Sequence, residues 1–140
     1  MWYNAIMAGL LRSPLHRVLS GSFMLVRVTG RKTGRMITTP VNYVRDGQVL
    51  WVMSLQRRKW WRNLAGGAPV KVLVAGRELK ARGDAIVDEP AVASQLIRFL
   101  QKVPQYGKYL QVALDSNGQP APADCERAAH GRVMVRIALE

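Results

Sequence analysis

The feature that most limits what this chain can fold into is a repeated pattern of extended, β-branched runs joined by glycine-bounded turns. Phe23 to Thr29 and Ile37 to Val44 flank Gly30-Arg31-Lys32-Thr33-Gly34. Gln48 to Ser54 follows Arg45-Asp46-Gly47, and Asp-Gly between apolar runs is the strongest short hairpin signal, so 37–44 and 48–54 are expected to be antiparallel neighbours. Val70 to Val74 and Arg77 to Ile86 flank Ala75-Gly76 in the same manner, and Arg132 to Leu139 supplies a closing strand. About six strands with glycine turns favour a small barrel, mainly β with flanking helices.

Helices are signalled at both ends of this series. Trp2, Tyr3, Ile6, Met7, Leu10 and Leu11 fall at helical spacing, predicting an amphipathic N-terminal segment over residues 1–20, with Ser13-Pro14 starting a short second helix. Its apolar run is about eleven residues, short of the roughly twenty that a membrane span needs, and the cations follow the run as they would not in a signal peptide. Packing on the barrel is expected, with peripheral contact to an anionic lipid surface as the alternative. Further on, Asp88 caps a helix with Pro90 in its first turn and Val92, Leu96, Phe99, Leu100 and Val103 on one face. Pro104 breaks that period, and Tyr106 and Tyr109 share a face if the next stretch is helical. Residues 115–124 read as a loop.

The 140 residues predict one domain, 1–140, able to bury a real core, which the 49% hydrophobic fraction supports. Lys plus Arg number 21 against 9 Asp plus Glu, a formal charge of +12 that concentrates anions around the molecule. No metal site or histidine triad is indicated, because His16 and His130 stand far apart with no carboxylate or thiol at ligand spacing. The one cysteine, Cys125, excludes an intrachain disulfide and reads as a partly exposed free thiol, which points to a reducing, cytoplasmic location.

Two segments carry chemistry. The turn Gly30, Arg31, Lys32, Thr33, Gly34 offers amide N–H groups, a guanidinium, an ammonium and a hydroxyl to one small volume, the inventory that grips a phosphate or carboxylate. It is not a Walker-type loop, since Arg31 rather than glycine precedes Lys32 and a strand follows; the bland alternative is a hairpin whose charges face water. The second segment, Arg57 to Leu64, sets three cations before Trp60 and Trp61; neighbouring positions on a helix point about 100° apart, so one indole can enter the core while the other lines a groove.

These segments together resemble the deazaflavin-dependent nitroreductases of the flavin and deazaflavin oxidoreductase superfamily: TGRKTGRMITTPVNYVRDGQVLWVMS, with Pro40 six residues after Gly34, followed by WWRNL. The likeness covers roughly residues 22–112 and implies an FMN-binding split β-barrel fold and hydride transfer from coenzyme F420, whose phosphate and oligoglutamate tail are anionic, to a small-molecule electron acceptor such as a quinone or nitroaromatic. It further implies that Arg31, Lys32 and Thr33, with Gly30, Gly34 and Pro40 shaping the turn and strand, hold the phosphate; that Ser54, Trp60 and Trp61 lie by the ring; and that Tyr106 and Tyr109 face the substrate. Ser54, Tyr106 and Tyr109 are the candidate catalytic hydroxyls. Two positions depart from the family pattern: Ile37 replaces a second phosphate-binding arginine, and the loop from Ser54 to Trp60 is several residues shorter. Arg35 or Arg57 would supply the missing charge, and FMN, with one phosphate and no glutamate tail, is the alternative cofactor.

A nucleic-acid-binding barrel would use the same cations for phosphates and the tryptophans for stacking. That reading predicts aromatics alternating along the strands, whereas the inward alternation is aliphatic and both tryptophans fall in one segment. A homodimer remains open.

Overall fold

The structure, a computed structural model, describes residues 23–74 and 76–140. The helical expectations for residues 1–20 lie outside those bounds.

Seven strands form one antiparallel sheet: β1 (Phe23–Thr29), β2 (Met36–Asn42), β3 (Val44–Asp46), β4 (Val49–Leu55), β5 (Ala68–Val74), β6 (Arg77–Ile86) and β7 (Arg132–Leu139), in the spatial order β2-β1-β5-β6-β7-β4-β3. Alternation explains which face turns inward. Met24, Val26 and Val28 of β1, Leu50 and Val52 of β4, Val70, Val72 and Val74 of β5, and Val133, Val135 and Ile137 of β7 fill one core, as a period of two requires. The intervening Trp51, Met53 and Met134 point the other way, into a second core beneath the helices.

The expected single strand over 37–44 is corrected. β2 pairs along its whole length with β1, from Phe23 opposite Asn42 to Thr29 opposite Met36, while β3 pairs with β4, Val44 opposite Trp51. The Asp-Gly hairpin therefore exists, but of the expected strand only Val44 belongs to it, with Arg45 and Asp46 completing β3. β2 and β3 stand at opposite edges of the sheet yet are separated by Tyr43 alone, so the sheet must curl until its edges meet, which is how a barrel disposes of exposed edges. Pro40 fits this arrangement, because proline cannot donate to a ladder and β2 is an edge strand.

Helix α1 (Glu89–Lys102) starts where the sequence places it: the Asp88 carboxylate accepts the Ala91 N–H at 3.2 Å, a cap that contributes about 1 kcal/mol. It ends at Val103, whose backbone (φ −131°, ψ 71°) has left the helical region, as the residue before a proline tends to. A 3-10 turn (Pro104–Tyr106) and the single-turn α2 (Gly107–Leu110) carry the chain away. Helix α3 (Pro122–Ala129) corrects the loop reading from residue 122 onward, and it corrects Cys125 as well: the thiol is fully buried against α1 and Met134. Burial first, and then the negative charge of Asp124, push its pKa up, so it is an unreactive packing group.

Candidate functional site

The turn from Gly30 to Gly34 is tightly knit. Gly30 N–H donates to the Arg35 carbonyl at 2.7 Å and Gly34 N–H to the Gly30 carbonyl at 2.8 Å, while Arg35 N–H donates to the Thr33 hydroxyl at 3.2 Å. A side chain at Gly30 would lie 3.0 Å from Thr33 Oγ1, and Gly34 has φ +69°, a conformation that favours glycine. Two further bonds tie the turn to the 3-10 segment Trp60–Leu64. Arg31 N–H donates to Asn63 Oδ1 at 3.0 Å, and the Arg31 guanidinium donates to the Ala65 carbonyl. The amides of Gly30, Arg31, Gly34 and Arg35, and one arm of Arg31, are thus already spent inside the protein.

The Trp60–Leu64 segment faces both ways. Trp60 and Trp61 are both buried; Trp60 lines a cavity, while Trp61 enters the barrel core, its Nε1 donating to the Leu55 carbonyl at 3.2 Å and its ring carrying the Arg62 guanidinium 5.6 Å from the centroid. Asn63 joins the two ends of the segment: its Nδ2 donates to the Trp60 carbonyl at 3.1 Å while its Oδ1 holds the Arg31 amide.

The cavity has a volume of about 550 Å³, within the usual range for sites that take small molecules or cofactors. Thr39, Pro40, Val41 and Asn42 of β2 form one wall, Met53, Ser54 and Leu55 of β4 a second, and Trp60 and Phe99 close it. Gln105, Tyr106 and Tyr109 stand at the mouth, Tyr106 with its ring 5.5 Å from that of Phe99 and Tyr109 69% exposed. Ser54 is 8% exposed, continuing the inward row Leu50, Val52, and its hydroxyl lies 3.4 Å from the Leu55 carbonyl. Arg58 is the one charged side chain among the described lining residues.

Of the residues singled out in the sequence, Pro40, Ser54, Trp60, Tyr106 and Tyr109 meet at this cavity, whereas Gly30, Arg31, Lys32, Thr33, Gly34 and Trp61 are not among its lining residues. Thr39, Val41, Asn42, Met53, Leu55, Arg58, Phe99 and Gln105 also line it without having been singled out for the site, and Asn63 lies outside the lining. Among the described residues no cluster of His, Cys, Asp or Glu could hold a metal, and no helix is long and apolar enough to cross a membrane.

Without a histidine or a carboxylate in its lining, the cavity offers hydroxyls, amides, flat apolar walls and one guanidinium. That set suits an anionic cofactor with a planar ring: the aromatic and aliphatic surfaces of Trp60, Phe99, Val41 and Met53 can sandwich the ring, Ser54 can meet a polar edge, and no negative charge opposes a phosphate.

Comparison with known proteins agrees. The family model for F420H2-dependent quinone reductase matches residues 11–115. No curated protein matches significantly. Among solved structures, the chain is similar to a protein of Listeria innocua provisionally named pyridoxamine 5′-phosphate oxidase (TM-score 0.53, 12% identity, covering 100% of this chain and 94% of that one). It is similar also to a FAD-binding protein of Mesorhizobium loti (0.53, 16%, 91% and 90%), and to a protein of Bacteroides thetaiotaomicron provisionally named for 5-nitroimidazole antibiotic resistance (0.55, 12%, 88% and 75%). At these identities the structural likeness establishes the fold, a split barrel with flanking helices, and nothing finer.

Proposed function

The chain belongs to the F420H2-dependent quinone reductase family, an F420-dependent oxidoreductase, and from that premise we propose that the cavity between β2, β4, Trp60 and Phe99 takes the deazaflavin ring and presents it to a quinone-type acceptor at the mouth. The observation that carries this reading is the lining itself: flat apolar walls, a buried Ser54 hydroxyl, and no acidic side chain.

When bound, the reduced coenzyme supplies the hydride. The protein's part is binding, orientation and a proton. Trp60 and Phe99 hold the ring by contact and exclude water from its faces; Ser54 Oγ, fixed against the Leu55 carbonyl, orients a polar ring edge. Tyr106 Oη donates a proton to the acceptor oxygen as that oxygen gains charge, and recovers one from water at the open mouth. The exposed Tyr109 forms the acceptor's outer contact. The Gly30–Gly34 turn, fastened to the segment that carries Trp60, lends Lys32 to the anionic tail beyond the cavity. A two-electron acceptor with an oxygen to be protonated, a quinone before a nitroaromatic, matches this arrangement. The sequence pattern also supports a cytoplasmic protein.

The test is a fluorescence titration, since Trp60 lies in the wall. Coenzyme F420 should quench tryptophan emission with saturation, and the loaded protein should oxidise the reduced coenzyme faster with a quinone than without an acceptor. If FMN or a short single-stranded oligonucleotide quenches emission and F420 does not, the cavity serves another ligand.

A further inference from the structure

We propose that Arg58, and not Arg31, is the side chain that pairs with the anionic group of the cofactor inside the cavity, while Arg31 is a strut that fixes the Gly30 turn against the cavity wall. The inference rests on the deazaflavin reading for the identity of the anion. Its structural basis is separate.

Arg31 is held as a strut by its own bonds, its amide and one arm of its guanidinium both fastened to the same segment. Its amide goes to Asn63 and its guanidinium to the Ala65 carbonyl, so both ends of the residue are held by the far side of the 3-10 segment, and it is not among the residues that line the cavity. Arg58 has the opposite character. It lines the cavity, and among the described residues no hydrogen bond or ion pair occupies its guanidinium.

The loop that carries Arg58 is fixed by one acceptor. The Leu55 carbonyl receives the Arg58 N–H at 3.0 Å, the Trp61 indole N–H at 3.2 Å and the Ser54 hydroxyl at 3.4 Å. A tight turn at the end of β4 is thereby locked to the base of Trp61, and Arg58 is presented to the same volume as Ser54 and Trp60. Arg57 and Lys59, its neighbours, are exposed as Arg58 is, but they do not line the cavity. The cation that the sequence lacks at Ile37, and that it would draw from Arg35 or Arg57, comes from Arg58. A guanidinium suits the task, since its planar fork meets two phosphate oxygens at once.

The test compares two ligands on purified full-length protein by tryptophan quenching: coenzyme F420, and the deazaflavin carrying only its ribityl chain, without phosphate or tail. Arg58→Ala should weaken F420 about ten- to a hundredfold, the loss expected for one charge-assisted contact, and leave the phosphate-free compound unchanged. Arg58→Lys should recover part of the loss. Arg31→Ala should weaken both compounds by the same factor and lower the melting temperature, as a strut would. A third arm uses inorganic pyrophosphate, whose stabilisation of the wild-type melting temperature should vanish in Arg58→Ala and persist in Arg31→Ala. Arg58→Ala binding both deazaflavins like the wild type overturns the proposal, as does selective loss of F420 in Arg31→Ala. If neither deazaflavin binds the wild type while the pyrophosphate arm behaves as stated, the anion site stands and the coenzyme reading falls.

Discussion

Replacing Asn63 by alanine removes two hydrogen bonds at once, the one that holds the Arg31 amide at 3.0 Å and the one given to the Trp60 carbonyl at 3.1 Å. The first lies at the surface, where water can replace the acceptor, and belongs at the low end of the net range of about 0.5–1.5 kcal/mol per bond; the second is partly buried and belongs nearer the top. Together they amount to roughly 1–2 kcal/mol, and a chain of this length loses about 3 °C of melting temperature per kcal/mol, so Asn63→Ala should melt about 3–6 °C lower. Asn63→Asp separates the two bonds. It keeps an acceptor for the Arg31 amide and loses the donor to Trp60, the larger of the two contributions, so it should recover the smaller part of the loss. The same pair of variants reads out the coupling to the site, because Asn63 does not line the cavity. If Asn63 sets the position of Trp60, Asn63→Ala should weaken F420 binding in the quenching titration as well as stability. A melting temperature within about 1 °C of wild type, or an Asp variant no better than Ala, would refute the two-bond account; a lowered melting temperature with unchanged F420 affinity would refute the coupling.

Tyr106→Phe keeps the ring against Phe99 and removes only the hydroxyl, so steady-state assays with a quinone should show kcat and kcat/KM falling together while F420 affinity holds; Tyr109→Phe, at the exposed mouth, should show the smaller effect, and undiminished turnover in both would remove them from proton delivery. The Ala113 N–H bond at 2.9 Å, and after it the Arg127 guanidinium at 3.1 Å, hold the Asp124 pKa below the ordinary carboxylate value against the opposing effect of burial. A lowered folded-state pKa contributes stability above the unfolded pKa that is lost as pH falls through the folded one, so wild-type melting temperature should drop below about pH 4 more steeply than that of Asp124→Asn, and parallel pH profiles would contradict this. Cys125 should resist an aromatic disulfide reagent at neutral pH and react fully once the protein is unfolded; fast labelling of the native protein would show that its burial is not maintained.

The parts of the fold legible in the sequence are those where one periodicity had no competitor. β1 and β7 run where their β-branched, apolar runs place them, and Asp88 with Pro90 marks the start of α1 to the residue. Alternation says which face a residue takes, though not which strand it pairs with, and nothing at Tyr43 signals that the chain leaves the β1 ladder and joins β4. Helix α3 was illegible for a different reason. Its buried face is Cys125, Ala128 and Ala129, residues too small to raise an apolar period above the polar positions beside them, so both the helix and the burial of its thiol passed for loop.

In the site, residue type pointed to an anion-binding chemistry, and Arg58, the cation we propose to carry it, is not the one the turn made conspicuous. Pro40, Ser54, Trp60, Tyr106 and Tyr109 line one cavity because the barrel brings β2, the end of β4 and the segments after β4 and α1 to one opening, and the resemblance names all five. The cations were harder, because Arg57, Arg58 and Lys59 are nearly interchangeable as sequence, and Arg31 has the more conspicuous setting between two glycines. What separates them is where backbone acceptors fall: the Ala65 carbonyl captures Arg31, while the Leu55 carbonyl captures only the amide of Arg58 and leaves its side chain to the cavity. A guanidinium is oriented by the carbonyls the fold sets beside it, and those positions depend on long-range strand pairing, which no local motif records.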